Sequence, residues 1–172
     1  MSDAIRVGLV GFGYASKTFH APLIGGTPGM ALKAVASSDA DKVHADWPGV
    51  KVMSAPGDLL DDPDIDLVVI ATPNDTHFPL AKAALEAGKH VVVDKPFTVT
   101  LSQARELESL AKHCGRILSV FHNRRWDSDF LTVSALINEG QLGEVCYFES
   151  HFDRFRPQVR QRWREQAGPG SG

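Results

Sequence analysis

The sequence predicts an α/β protein built on a doubly wound parallel sheet, and two observations lead to this prediction. Short apolar runs rich in β-branched residues alternate along the chain with segments of helical character. The clearest run, Leu67 to Ala71, is apolar throughout rather than alternating, as strands buried on both faces of a sheet are. The pattern changes after Phe121, so we expect residues 1–122 to form this domain and residues 123–172 to begin a second, α+β domain.

The composition of the 172 residues is that of a globular protein, with 43% hydrophobic and 23% charged residues. A net charge of −3 argues against a nucleic-acid partner, and no apolar run approaches the ~18 residues that span a bilayer. Cys114 and Cys146 are too few for a disulfide framework. Because the first residues do not form a secretory signal, we expect a cytoplasmic protein with two reduced thiols and no membrane partner.

A glycine-rich turn follows the first predicted strand, Ile5 to Val10, and a predicted helix follows the turn. This is the context of a dinucleotide fingerprint, in which the first glycine allows the tight turn and the second lets a pyrophosphate approach the backbone. Ser16 stands where glycine or alanine is usual, and a turn without a ligand is the alternative. Pro22 predicts that the helix is broken or ends near Ala21. The candidate cofactor-binding residues are Gly11, Phe12, Gly13, Tyr14 and Ala15.

The second predicted strand, Ala31 to Ala36, ends in Ser37, Ser38 and Asp39. An NAD-binding unit usually has an acidic residue at this strand end, where it binds the ribose 2′-hydroxyl. Hydroxyl groups tolerate a 2′-phosphate better than a carboxylate does. We therefore expect NADP as the cofactor and NAD as the second choice, with Lys42 as a possible phosphate partner. In the alternative, Ser37 and Ser38 only cap the helix that begins near Asp39.

A weak third strand is predicted over Val50 to Met53, followed by a turn over residues 55–58. Several aspartates follow, but no histidine or cysteine accompanies them, so we expect a solvated loop and no metal site. They are Asp58, Asp61, Asp62, Asp64 and Asp66.

Polar residues follow the clearest strand: Thr72 and Asn74 could bond to cofactor hydroxyls, and His77 lies at the start of the next helix. A capping or packing role is the alternative for His77. That helix is predicted from Phe78 to Ala87, with Pro79 in its first turn.

A lysine and a carboxylate, Asp94 and Lys95, follow the next buried strand, His90 to Val93. Ligands of open α/β sheets bind at this edge, where a lysine can hold a proton, a charge or a substrate oxygen. The alternative is a turn with two solvated charges. A capping box at Thr100 then opens a helix that ends at Gly115, and Ile117 to Phe121 is the last strand of the series.

The chain changes character after this strand. A polar loop leads to a predicted helix from Ser128 to Glu139 and to an alternating, half-buried strand from Val145 to Phe152. An arginine-rich stretch follows, and we expect it to be a solvated face. The apolar side of the helix is expected to point inward and consists of Phe130, Val133, Leu136 and Ile137. The arginines of the stretch are Arg154, Arg156, Arg160, Arg162 and Arg164.

Five motifs occur in an order and spacing that identify a family. They are Val7 to Gly13 with His20, Val69 to Asn74 with His77, Ala84 to Val91 running into Asp94-Lys95-Pro96, Asn123 to Trp126, and Glu139 to Val145. Together they resemble the N-terminal half of the glucose–fructose oxidoreductase / inositol dehydrogenase / rhizopine catabolism (Gfo/Idh/MocA) family. The family's usual triplet is Glu-Lys-Pro, so Asp94 is a conservative departure. The run from Gly11 to Pro22 most resembles the scyllo-inositol dehydrogenase-like branch.

The resemblance implies a Rossmann domain followed by an α/β domain with a large open sheet. Hydride would pass between the nicotinamide and a hydroxyl carbon of a sugar or cyclitol, the small-molecule substrate. Lys95 would be catalytic, binding the reacting hydroxyl and assisting its proton loss, and the Lys95–Pro96 bond would be cis. Asp94, Lys95 and Asn123 join the cofactor candidates, while Arg125 and His151 join Lys95 as substrate candidates. A homo-oligomer is implied for the complete protein.

The family also supplies an Asp and a His, the His acting as acid–base, from a helix of the second domain that would lie beyond Gly172. Such groups typically contribute ~10²–10⁴ in rate, so we expect this chain alone to be nearly inactive. Two functions stay open: an NAD(P)-dependent oxidoreductase present as its N-terminal part, and a non-catalytic dinucleotide-binding module. A basic interaction segment from Arg154 to Arg164 is disfavoured by the net charge.

Overall fold

The computed structural model describes residues 4–153, 155, 157–158 and 167–168, and within them it contains a six-stranded sheet. All the strand pairs are parallel, and the strand order is β3-β2-β1-β4-β5-β6. The predicted doubly wound parallel sheet is therefore confirmed. The strands are Ile5–Val10 (β1), Met30–Ala36 (β2), Lys51–Met53 (β3), Leu67–Ile70 (β4), His90–Asp94 (β5) and Leu118–Phe121 (β6).

Helices connect successive strands and cover both faces of the sheet, because the central strands carry apolar side chains on both faces. On one face the buried cluster includes Ile70, Leu85 and Leu107, and on the other it includes Leu9 and Val43. The α-helices of the described residues are Ala21–Gly26 (α1), Ala40–His44 (α2), Pro56–Leu60 (α3), Asn74–Glu86 (α4), Leu101–Cys114 (α5) and Ser128–Asn138 (α6).

Pro22 predicted that the helix after the glycine turn is broken or ends near Ala21. The helix continues past Ala21, but its hydrogen-bond pattern changes there. A π-helix, Ser16–His20, runs directly into α1, and the Ala21 amide donates to the carbonyl of Ser16. The wider hydrogen-bond pattern comes immediately before the proline, which occupies the first turn of α1. Because proline has no amide hydrogen, Pro22 makes no backbone bond back to the π-helix.

Two other predicted boundaries are wrong. Residues 56–58 of the predicted turn belong to α3, because Leu59 and Leu60 pack into the core and favour a helix there. Helix α4 begins at Asn74, one turn earlier than Phe78, so Pro79 lies inside it. The apolar pattern missed that first turn because its four residues are polar, although two of them, Asn74 and His77, are buried.

The residues after β6 form a 3₁₀ helix, Asn123–Trp126, and then α6. The prediction that the apolar face of α6 points inward is wrong. Phe130, Val133 and Ile137 are exposed, and Leu136 is half-buried. The predicted strand from Val145 to Phe152 is also absent, since the described residues offer it no neighbouring strand to pair with. The predicted solvated face of Arg154, Arg156, Arg160, Arg162 and Arg164 lies outside the described residues.

Candidate functional site

The candidate site lies along one edge of the sheet, where the carboxyl ends of β1, β4 and β5 are neighbours. Strand β1 has β2 as its neighbour on one side and β4 as its neighbour on the other, so the strand order reverses at β1. Ligands of open α/β sheets bind in the crevice at such a reversal of strand order. Gly11 follows β1, Thr72 follows β4 and Lys95 follows β5, so the structure brings the three predicted segments to one edge.

Gly11 fits its position only as a glycine. Its φ angle is +88°, and an added Cβ would lie 3.0 Å from both the Ala71 carbonyl oxygen and Thr72 Cγ2. Its amide donates to the carbonyl of Ala36 at the end of β2. The turn is therefore packed between the ends of β2 and β4, and a side chain would have to displace backbone.

The rest of the glycine turn divides into open and buried positions. A Cβ built on Gly13 would meet no atom within 4 Å, so the space above this residue is free. Tyr14 is exposed and Ala15 half-buried, whereas the Phe12 side chain is buried in the core and offers a ligand only its backbone. Ser16 is buried, and its hydroxyl donates to the Gly11 carbonyl at 2.8 Å. The departure from glycine or alanine at this position thus stabilises the turn itself.

The end of β2 is organised by Asp39 rather than by the serines. Asp39 Oδ1 accepts a hydrogen bond from the Lys42 amide at 3.0 Å and so caps α2, which corrects the alternative role of Ser37 and Ser38 as caps. The Asp39 amide donates to Ser37 Oγ at 3.2 Å. Ser38 is exposed. The carboxylate is therefore turned back toward its own helix.

His77 joins the loops after β4 and β5. It is 1% exposed, its Nε2 lies 2.9 Å from the Thr72 carbonyl oxygen, and its Nδ1 lies 2.8 Å from the Pro96 carbonyl oxygen. Carbonyl oxygens only accept, so at least one contact is an imidazole N–H bond, and an imidazolium would make both. Both ring nitrogens thus lie on backbone carbonyl oxygens, an arrangement that favours the packing role given above as the alternative for His77.

Thr72 and Asn74 lie on either side of Pro73 at the start of α4. The Thr72 hydroxyl is 2.6 Å from that of Thr76, and Thr72 is half-buried beside Gly11. Asn74 is buried in the first turn of the helix.

Lys95 is exposed at the end of β5, and the predicted cis Lys95–Pro96 bond is confirmed. The Lys95 amide donates to Asp94 Oδ1 at 2.7 Å. Burial raises the pKa of the Asp94 carboxyl, but His20, the Lys95 amide and the charges of both residues lower it by more, so this pKa lies below its ordinary value. Asp94 is therefore a buried carboxylate directly behind an exposed lysine.

His20 was part of a motif in the sequence but received no role there. It is 4% exposed, its ring lies 4.2 Å from that of Phe121 between centroids, and its Nε2 lies 3.9 Å from Asp94 Oδ2. The contact between His20 and Asp94 joins the π-helix to β5, two elements that are distant in sequence. Only the shared motif spacing could have suggested it from the sequence.

The candidates after β6 are less closely tied to this edge. Asn123 is half-buried and begins the 3₁₀ helix directly after β6, and Arg125 is exposed. The contacts that the structure gives His151 in the described part of the chain are with Glu149 and Asp153. They are near neighbours in sequence and do not connect His151 to Lys95.

Two family models match the two parts of the chain. A model described as an oxidoreductase family with an NAD-binding Rossmann fold matches residues 5–122, and the C-terminal α/β domain of the same family matches residues 134–172. None of the helices in the described residues is long and apolar enough to cross a membrane.

Individual relatives match nearly the whole chain. The oxidoreductase YdgJ of Escherichia coli is 78% identical over 172 residues, which are 100% of this chain and 50% of YdgJ. The scyllo-inositol 2-dehydrogenase (NADP(+)) IolW of Bacillus subtilis is 38% identical over 99% of this chain and 48% of its own length. A solved oxidoreductase structure from Yersinia pestis gives a TM-score of 0.92 at 71% identity, over 96% of this chain and 48% of that one. The chain thus spans about half the length of the curated relatives it matches.

Proposed function

Because the chain belongs to the Gfo/Idh/MocA oxidoreductase family, we propose that it forms the cofactor-binding part of an NAD(P)-dependent dehydrogenase acting on CH–OH groups. The substrate class is a sugar or cyclitol. Its hydroxyl carbon exchanges a hydride with the nicotinamide ring, which is the chemistry that the cofactor supplies when bound.

The observation that carries this proposal is the fit of the glycine turn to a dinucleotide. Gly11 is held against Ala71 and Thr72 with no room for a side chain, while the space over Gly13 is open. This combination supplies a rigid turn beneath an unobstructed backbone, which a pyrophosphate needs in order to approach closely. Thr72, Asn74 and the exposed Tyr14 lie along the same edge as further contacts.

We propose NADP as the preferred cofactor. Asp39 caps α2 with its carboxylate, so Ser37 and Ser38 are the side chains at the end of β2 that meet the ribose. Hydroxyl groups accommodate a 2′-phosphate without charge repulsion, and Lys42 provides a cation nearby. The name of IolW, which includes NADP(+), supports the same choice.

Lys95 is the proposed catalytic residue. It is an exposed amine at the rim, and the buried Asp94 carboxylate holds its backbone amide. In the proposal its amine binds the reacting hydroxyl oxygen and takes part in the removal of its proton. Asn123 borders the cofactor, and Arg125 and His151 form the near wall of the substrate site.

The organisation of the complete protein follows from the same family assignment. We propose a cofactor domain over residues 1–122 and the start of a substrate and oligomerisation domain over residues 123–172, which the family models at 5–122 and 134–172 support. We also propose a cytoplasmic homo-oligomer. The acid–base Asp and His are not among the matched motifs, so these 172 residues alone are proposed to bind nucleotide and turn over little.

Binding to the glycine turn is tested by titrating NADPH into the chain and into two matched variants while following nicotinamide fluorescence. Gly13→Ala and Gly49→Ala both place a methyl group in open space, but only Gly13 belongs to the turn. The proposal predicts a loss of about tenfold in affinity, or ~1.4 kcal/mol, for Gly13→Ala and none for Gly49→Ala. Equal affinities for all three proteins would contradict it.

The catalytic role of Lys95 is tested by turnover with NADP⁺ and a panel of cyclitols and sugars. In the full-length protein the rate is expected to fall by ~10²–10⁴ in Lys95→Met, since one acid–base group is removed. NADPH affinity should change much less. An unchanged rate would remove Lys95 from the mechanism.

A further inference from the structure

His20 carries an unsatisfied polar atom deep in the structure. Its ring is 4% exposed and packs on Phe121, and its Nε2 is buried with no hydrogen-bond partner among the described residues. Buried polar side-chain atoms are almost always paired, so a persistent exception calls for a function or for a compensating interaction. The carboxylate of Asp94 lies close to this nitrogen, with its Oδ2 3.9 Å away.

Asp94 links this imidazole to the candidate catalytic residue. One carboxylate oxygen, Oδ1, accepts from the Lys95 amide at 2.7 Å, and the other, Oδ2, faces His20. The pKa of Asp94 lies below its ordinary value despite its burial, so the group is a carboxylate in this environment. A carboxylate next to a lysine can also turn toward the lysine amine and form an ion pair with it.

We propose that His20 is a positioning residue that acts on Lys95 through Asp94. By attracting Oδ2 into the interior, the imidazole keeps the carboxylate on the Lys95 backbone and away from the Lys95 amine. The amine then stays available at the rim. This inference rests on the proposed function, because an available amine matters only if Lys95 meets a substrate.

The test is the rate at which an amine-reactive acylating reagent labels Lys95 in the nucleotide-free chain, measured by mass spectrometry. Exposed Lys33, in β2, serves as the internal reference. His20→Phe keeps an aromatic ring against Phe121 but removes the nitrogen. We expect Lys95 labelling to fall about threefold, the change that one new surface ion pair produces, while Lys33 labelling is constant. An unchanged Lys95 rate would overturn the proposal.

Two further variants separate positioning from packing. His20→Gln retains an N–H donor toward Asp94 and is expected to restore the wild-type labelling rate, whereas a rate equal to that of His20→Phe would contradict the proposal. Asp94→Asn removes the carboxylate, so adding His20→Phe to it should have no further effect. Additive effects in the double variant would also contradict it.

The same proteins are titrated with NADPH, and this result is independent of the labelling. A wild-type chain that does not bind NADPH argues against the proposed function. The dependence of Lys95 labelling on His20 and Asp94 decides the positioning role on its own, and if His20→Phe does not fold, His20→Leu, which also removes the ring nitrogen, takes its place with the same expected fall in labelling.

Discussion

The sheet region, residues 5–122, and the segment that follows it, residues 123–153, both carry large apolar side chains but differ sharply in burial. Leu59 of α3 is fully buried, whereas Phe130 of α6 is 51% exposed and Phe152 is 74% exposed. The helices of the sheet region pack on two faces of a sheet, and α6 has no comparable surface among the described residues. An apolar pattern therefore predicts which face of a helix or strand is hydrophobic. That face is buried only where another part of the protein packs against it.

The largest difference between the two regions is expected from removing one large side chain in each. Leu59→Ala should lower the free energy of unfolding by about 2–5 kcal/mol, because it opens a cavity in the core. Phe130→Ala should change it by less than ~0.5 kcal/mol. Urea denaturation of both variants measures the difference, and equal costs would show that α6 is packed after all.

The second comparison concerns two histidines. His77→Phe leaves the Thr72 and Pro96 carbonyl oxygens without their imidazole partner and should cost about 2 kcal/mol in unfolding free energy. His151→Phe should cost nothing measurable, because His151 is exposed. Thermal and urea unfolding of the pair test this, and a neutral His77→Phe would mean that water replaces the imidazole at both carbonyls.

Two glycines with positive φ angles provide a third comparison. Gly11→Ala adds a methyl group 3.0 Å from a backbone oxygen, while Gly140→Ala adds one to open space. The left-handed backbone alone costs ~1–2 kcal/mol with a side chain, so both should be destabilised, and Gly11→Ala by clearly more. Unfolding midpoints that rank the two variants in the opposite order would refute the close packing of the turn.

The smallest expected effect concerns pH. The side-chain hydrogen bond from Arg6, with the Arg6 amide, lowers the pKa of Asp66 from 3.8 to about 2. Because the folded pKa is the lower one, the stabilisation is complete above pH ~4 and is lost as pH falls toward 2. Since both groups are partly solvated, we expect Asp66→Asn to cost about 1 kcal/mol at neutral pH and less in acid.

The matched control lies in the second region. Hydrogen bonds from His151 and Tyr147 lower the pKa of Glu149, but its side chain is exposed. Glu149→Gln should leave the pH dependence of unfolding unchanged. If Asp66→Asn and wild type differed equally at every pH in acid titrations, the Arg6 pairing would not be the cause.

The sequence predicted the sheet well because its strands are short apolar runs that end in recognisable turns. Each strand begins and ends within a residue or so of its predicted position, and the glycine turn, Thr72 and Lys95 lie on one edge as parallel strands require. The cis Lys95–Pro96 bond followed from the family resemblance and is confirmed.

The missed features depend on contacts between residues distant in sequence. Neither the pairing of His20 with Asp94 nor the position of His77 between two carbonyls has a local signal. The predicted strand from Val145 failed for the same reason, since a strand forms only against another strand. The binding and catalytic roles of the site residues remain predictions.

The central claim is that the glycine turn and the end of β2 together bind NADPH, and calorimetric titration of the chain with NADPH and with NADH tests it most directly. We predict tighter binding of NADPH by about tenfold, or ~1.4 kcal/mol. Tighter binding of NADH would place Asp39 on the ribose and contradict the roles of Ser37 and Ser38. Binding of neither nucleotide by the folded chain would contradict the central claim.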